Sequence, residues 1–348
     1  MSRWQRTRSF FPVAEDAIFL DHAGGGPISS RVDEAVRQLS DDAAHRVGPT
    51  LDARRARELE RIRTRSARLI RADPNEIAFV SDAAAGLDRI ASDIDWERGD
   101  RVIATDNSDL RTWRALHRQG VDTLLVPAGP GAPSLERLEE ALLHPRARLL
   151  ALPAVDPISG ARAPLEAIGS TCRQRGVLLC VDASHALGCL DLDVGACAID
   201  YLVSDAHRFL MALAGVALLY RNRSIARDGL DAAGRFESGP TNHVGLAALG
   251  AAVNLVLEIG PDAIESRVID LTERLVAGLE TRGIPISGPR GASASGIVSF
   301  DLVGESSERT VTRLRDGRIY LADVGSGVRA SPHFYNEDAE IDALLDAL

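Results

Sequence analysis

At 348 residues, 45% of them hydrophobic, the chain is long enough to bury a large core with a smaller companion domain. Its 50 acidic residues outnumber 40 basic ones, for a formal net charge of -10, which argues against a nucleic-acid partner. Read end to end, the sequence has no lysine, so every basic residue in that count is arginine. The four cysteines, Cys172, Cys180, Cys189 and Cys197, lack C-x-x-C spacing and are expected to be reduced, buried thiols with no metal site. The start, Met1 to Arg6, has charge but no apolar segment, and no run approaches membrane-spanning length, so a cytoplasmic protein without a membrane partner is expected.

In chain order, Ile18-Phe19-Leu20 breaks into Asp21-His22-Ala23-Gly24-Gly25-Gly26-Pro27, a glycine-rich turn where backbone can approach a ligand closely. Helices follow from Ser30 and over Leu51 to Arg71, the second with an arginine-laden face read as solvated surface. Buried strands are expected at Ile77–Val80, Arg101–Thr105, Thr123–Val126, Arg148–Leu152, Val177–Val181, Tyr201–Val203 and Ala214–Tyr220, separated by helical stretches. Ser81-Asp82-Ala83-Ala84 leads from the first into a helix, with Asp82 placed to cap it. From Val244 a long apolar helix leads to a second helix over Asp262 to Arg282 and to strands near Gly296–Leu302 and Arg318–Ala322. This pattern predicts an α/β fold: a seven-stranded, mostly parallel sheet with helices on both faces, plus a smaller C-terminal α+β domain. The divisions are an arm over 1–20, a large domain over 21–243 and a small domain over 244–348.

Two apolar runs end in clusters of ionisable groups, Val181-Asp182-Ala183-Ser184-His185 and Ser204-Asp205-Ala206-His207-Arg208. Together these segments resemble the heart of the class V aminotransferase and cysteine desulfurase-like group, a branch of the fold-type-I pyridoxal-phosphate (PLP) enzymes. The resemblance runs from Phe19 to Leu348. It implies that Asp182 partners the pyridine nitrogen of PLP and that His207 precedes the lysine that forms the Schiff base. Here that lysine is Arg208, and a guanidinium, protonated at any ordinary pH, cannot be the amine of an internal aldimine.

Other positions of the implied cofactor site also differ. Ala84 stands where the family has a phosphate-binding threonine, Asp82 where it has glycine, and Asp205 where it has a phosphate-binding serine. Asn107 replaces the ring-stacking residue, Pro157 the asparagine on the phenolic oxygen, and His185 a glutamine. Asp182, Ala84 and Arg208 are therefore read as vestiges of a PLP site, with no cofactor expected. In Gly327 to Asn336, Arg329 matches the arginine that clamps a substrate carboxylate, and His22, Asn107 and Thr241 are further candidates for substrate contact. The loop 236–242 resembles one that crosses a dimer interface, implying a homodimer. The loop 322–326, where a desulfurase keeps its persulfide cysteine, has none, which excludes sulfur transfer on this reading.

The leading expectation is an acid/base enzyme of specialised metabolism, neither a conventional PLP aminotransferase nor a cysteine desulfurase. It would act without PLP on a small carboxylate-bearing or amino-acid-derived substrate, by elimination, isomerisation, hydrolysis or condensation. Asp182, His185, Asp205, His207 and Arg208 form its catalytic cluster, since an imidazole oriented by a carboxylate is a general base near neutral pH. The alternatives are a non-catalytic scaffold subunit, and an enzyme that binds PLP or pyridoxamine phosphate noncovalently with His207 as base.

Overall fold

The structure is a computed structural model, and the residues it describes are 3–129, 133–225, 236–237, 241–289 and 291–348. Its centre is a seven-stranded sheet built from β2 (Ile77–Val80), β3 (Arg101–Thr105), β4 (Asp122–Val126), β5 (Ala147–Pro153), β6 (Leu178–Asp182), β7 (Tyr201–Asp205) and β8 (Ala217–Arg221). β1 (Ile18–Phe19) lies outside it. The order is β2-β8-β7-β6-β5-β3-β4. β8 runs antiparallel to both of its neighbours and the other pairings are parallel, as the sequence predicts. All four residues of β2 and all five of β8 are buried, as strands covered on both faces must be.

The two faces carry separate apolar layers. One packs helix Ala83–Asp93 and Trp113 on the sheet. The other joins the sheet to helix His243–Ile259, whose residues from Leu246 to Ile259 are largely buried. Among the described residues no single helix is long and apolar enough to cross a membrane.

A second, antiparallel sheet in the order β12-β13-β10-β9 is formed by β9 (Ile286–Ser287), β10 (Val298–Phe300), β12 (Ala322–Asp323) and β13 (Val328–Ala330). Near the start of the chain β1 pairs in parallel with β11 (Ile319–Tyr320), and the ladder continues as a bridge between Asp21 and Ser331. That pairing carries the glycine-rich turn back to the main sheet, where Gly26 N–H donates to the carbonyl of His207 at 2.8 Å.

The arginine-laden helix Pro49–Leu69 departs from the expected solvated face at one residue. Arg63 is 6% exposed, and its guanidinium donates to the carbonyl of Ile77 and to Glu237 at 2.9 and 3.2 Å. A buried charge of this kind persists only when its donors are filled. Glu237 also accepts the backbone N–H of Phe79 at 3.0 Å, so the first part of the 236–242 loop is fastened to its own chain. Residues 238–240 of that loop lie outside the described residues.

Candidate active site

The topology gathers one set of loops at the carboxyl edge of the sheet, where open α/β folds hold their ligands. β6 ends on Asp182 and β7 on Asp205, while β2 leads to Asp82, β3 to Asn107 and β5 to Asp156. A cavity of about 170 Å³ opens there, lined by Asn107, Trp113, Pro157, Asp182 and His185 among others. The Asp182 carboxylate accepts the backbone N–H of Ser184 at 2.9 Å. Burial raises its pKa, with Asp205 adding to that and Ser184 and Arg208 opposing it.

His185 differs from its expected role. Burial, Arg208 and Arg329 push its pKa down to about 3, against a weaker upward pull from the backbone of Ala23. An imidazole so hard to protonate is a poor general base at neutral pH, where efficiency needs a pKa near the working pH. His185 is a neutral hydrogen-bonding group, and the general-base role predicted for it is corrected accordingly.

The second cluster lies at the start of helix Ala83–Asp93. Asp82 caps it by accepting the N–H of Ala85 at 2.7 Å, as the sequence predicts. The N–H of Ala83 is taken by a second carboxylate, Asp205, at 2.9 Å. Asp205 also faces the Arg208 guanidinium at 3.5 Å, and its own N–H donates to the Ser184 hydroxyl at 3.0 Å. Arg208, which is not among the residues lining the cavity, donates to the carbonyl of Ala23 at 2.5 Å. His207, between these two charges in sequence, is half-buried. Burial lowers its pKa, Asp205 raises it and Arg208 lowers it, and the balance falls below the ordinary value. It is therefore mostly a neutral imidazole at pH 7.

On the opposite side, Arg329 of β13 is 8% exposed, and its guanidinium donates to the carbonyl of Pro157 at 2.9 Å and to Asp21 at 3.0 Å. Asn107 donates to Asp156 at 2.6 Å, and Asp156 in turn caps the Pro157 turn by accepting the N–H of Ile158 at 3.0 Å. Pro157 thus belongs to a braced loop whose carbonyl orients the arginine.

Of the predicted substrate contacts only Asn107 lines the cavity; Arg329 adjoins it through Pro157, and His22 and Thr241 lie elsewhere. His22 is fully buried, bonded to the Ser331 carbonyl at 2.8 Å and the Tyr335 hydroxyl at 3.0 Å, and desolvation holds its pKa well below 6.5. Both ring nitrogens are used, so it is a core residue and the substrate-contact assignment is corrected. Thr241 is exposed and lines a different cavity with Phe79, Ser81 and Glu237. Ala84 sits in the first turn of its helix without a hydroxyl to offer. The residue that sequence reasoning missed is Asp21. Its role follows from the parallel bridge to Ser331, two residues from Arg329, which no local pattern announces.

Compared with known proteins, the chain matches the family "Aminotransferase class-V" over residues 18–344. A protein of Methanothermobacter thermautotrophicus named probable cysteine desulfurase is 25% identical, covering 99% of this chain and 97% of the relative. The apo structure of a cysteine desulfurase from Thermococcus onnurineus NA1 superposes with a TM-score of 0.90 at 24% identity, covering 99% and 97%. A structure of a lysine-to-alanine variant of C-DES, with glycine covalently linked to the PLP cofactor, superposes with a TM-score of 0.90 at 22% identity, covering 97% and 98%.

These findings correct two expectations. The exclusion of a cysteine desulfurase rested on one missing cysteine in loop 322–326, and it is overturned by a relative of that name aligned along nearly the whole chain. A single loop position does not decide a reaction class. The expectation that no cofactor is likely is overturned by the same comparisons, since a protein of this fold holds PLP even as a lysine-to-alanine variant. Loss of a lysine removes a covalent tether and leaves noncovalent contacts in place.

The residues present here fit PLP at one end only. Asp182, half-buried and fixed by Ser184, suits a protonated ring nitrogen. At the other end Asp205 and Asp82 already hold the amides of Ala83 and Ala85, and like charges about 4 Å apart repel by roughly 4 kcal/mol at an effective dielectric near 20. That end does not fit a phosphate. The family itself is settled by the match over 18–344 and by the sheet order that puts Asp182 and Asp205 side by side: the chain belongs to the class-V aminotransferases.

Proposed function

We propose that the chain is an enzyme acting on a small β-substituted amino acid, which it holds by the carboxylate. His207 removes the α-proton while the C–H electron pair forms the α,β double bond and the β-substituent leaves, the resulting enamine hydrolysing to keto acid and ammonia. The observation that carries this reading is the polarity of the site: the Asp182 carboxylate in the cavity wall, and the buried Arg329 guanidinium bonded to the carbonyl of Pro157, another residue of that wall. An amino acid has the complementary charges, and the 170 Å³ cavity is of a size for a small one. The name of the whole-length relative adds support for cysteine as one candidate substrate.

The chain's own residues divide the work. Arg329 supplies a planar fork for the carboxylate, a geometry that a lysine would not reproduce. Asp182 receives the protonated nitrogen. His185, neutral and half-buried, donates or accepts one hydrogen bond and adds no charge. His207 takes the proton, and the adjacent Asp205 favours the imidazolium that results.

The test is release of the β-substituent together with ammonia and keto acid from a panel of β-substituted amino acids, L-cysteine with sulfide as its leaving group among them. For the turned-over substrate, His207→Ala is expected to lower kcat/KM by about 10²- to 10⁴-fold, and Arg329→Gln to raise KM. Turnover unchanged by His207→Ala would reject the assignment.

A further inference from the structure

Arg329 has a buried side chain, 9% exposed, and three groups of donors. One amino group is held by Pro157 and the other by a single oxygen of Asp21, while Nε has no hydrogen-bond partner among the described residues. The Nε of Arg208 and of Arg221 likewise has no hydrogen-bond partner yet faces Asp205 at 3.5 Å and Asp93 at 2.7 Å, whereas the carboxylate beside Arg329 reaches its amino group with a single oxygen. The edge formed by Nε and the amino group on Asp21 is the one a carboxylate fills with two parallel bonds. Asp21 fills half of it.

Asp21 is held in that half-engaged position by the glycine-rich turn. Its carboxylate also accepts the N–H of Gly24 at 3.1 Å, and its carbonyl accepts the N–H groups of Gly24 and Gly25. A Cβ on Gly24 would lie 2.4 Å from the outer Asp21 oxygen and 2.8 Å from its carboxyl carbon. Glycine at 24 is thus what leaves the carboxylate room to face Arg329. The same turn meets the catalytic side of the site, through Ala23 accepting from Arg208 and Gly26 donating to His207.

We infer that Asp21 is an internal competitor for the carboxylate site on Arg329, a specificity-determining residue that a ligand carboxylate displaces when it takes both donors of the Nε edge. This rests on the assignment of Arg329 as the substrate's carboxylate partner. Displacement relieves the unpaired Nε and frees Asp21 to turn outward, where it is already 26% exposed. Because one carboxylate replaces another, the site discriminates for ligands that fill both donors and against single-point acceptors such as amides.

The experiment is a titration of the full chain with L-alanine and with L-alaninamide, followed by calorimetry or by the ¹⁵N resonance of the Arg329 Nε–H. Asp21→Asn keeps the acceptor for Gly24 and removes the competing charge, and it is expected to tighten L-alanine binding about tenfold without tightening alaninamide. Gly24→Ala, which pushes the carboxylate off Arg329 by a different route, is expected to act in the same direction. Arg329→Gln is expected to abolish L-alanine binding. If Arg329→Gln abolishes binding while neither Asp21→Asn nor Gly24→Ala tightens it, the competitor role is overturned and the carboxylate site stands. If Arg329→Gln leaves binding intact, the carboxylate site itself fails, and this inference with it.

Discussion

The Asp205 carboxylate accepts the backbone N–H of Ala83 at 2.9 Å, so the start of helix Ala83–Asp93 is bound by an anion of the chain's own. With Asp82 on the amide of Ala85, the partial positive charge of that helix end is neutralised from within. Asp205 also faces Arg208 at 3.5 Å, which ties the helix end to the arginine standing in the family's lysine position.

Replacing Asp205 with serine should therefore open this helix end to anions. A ³¹P titration with inorganic phosphate is expected to show about tenfold tighter binding to Asp205→Ser than to the unaltered chain, equivalent to about 1.4 kcal/mol. Equal phosphate affinity in the two proteins would contradict the blocking role of Asp205.

The pH profile should identify His207. Its pKa lies below the ordinary value because burial outweighs the pull of Asp205. As a base it works above that pKa, so the acid limb of kcat/KM is expected below pH 6.5. In Asp205→Asn the carboxylate that favours the imidazolium is gone, and the limb should move to still lower pH. A limb that moves upward would contradict the assignment.

Stability should also fall in acid, for a reason outside the site. His333 is fully buried, bonded to the Phe209 carbonyl at 2.8 Å, and burial pushes its pKa down to about 4. The unfolded chain binds this proton from about pH 6.5 downward while the folded chain refuses it until about pH 4. The stabilisation is complete above pH 6.5 and is lost as the pH falls toward 4, to an extent of about 3 kcal/mol. Urea unfolding at intervals between pH 7.5 and 4 should show this slope, reduced in His333→Gln. Stability that rises as the pH falls over this range would refute it.

A fourth expectation concerns the sheet. Arg221 at the end of β8 pairs with Asp93 at 2.7 Å, with side chains 5% and 1% exposed, and Tyr201 donates to the same Asp93 oxygen at 2.8 Å. Asp93→Ala leaves a guanidinium buried without its counter-charge, and should cost about 3–5 kcal/mol in denaturant unfolding. A loss below 1 kcal/mol would show that water reaches Arg221 freely.

Strands were legible because each is a short apolar run bounded by turn residues. All seven of the main sheet lie within a few residues of the positions predicted from the sequence. The meeting of Asp182, Asp205, His207 and Arg208 was legible for the same reason, since two adjacent parallel strands end in them. What the pattern could not show is which charges are already spent. Arg208 and Arg329 look free in sequence, and both are engaged by backbone carbonyls and by Asp205 or Asp21, partners set by strand pairing or by the fold of a turn. His22 looked available because it sits in a glycine-rich turn; its two partners, Ser331 and Tyr335, come from the other end of the chain. The desulfurase expectation failed differently, by reading a reaction class from one missing cysteine, and the cofactor expectation by reading several changed contacts as loss of the cofactor, where a protein of this fold holds PLP even as a lysine-to-alanine variant.

The most direct measurement is a structure of the chain with a small amino acid such as L-alanine bound, at a resolution that fixes the carboxylate. The account predicts the ligand carboxylate across Nε and the outer amino group of Arg329, its nitrogen toward Asp182, and Asp21 turned away. A ligand seated elsewhere, with Asp21 still on Arg329, would contradict it.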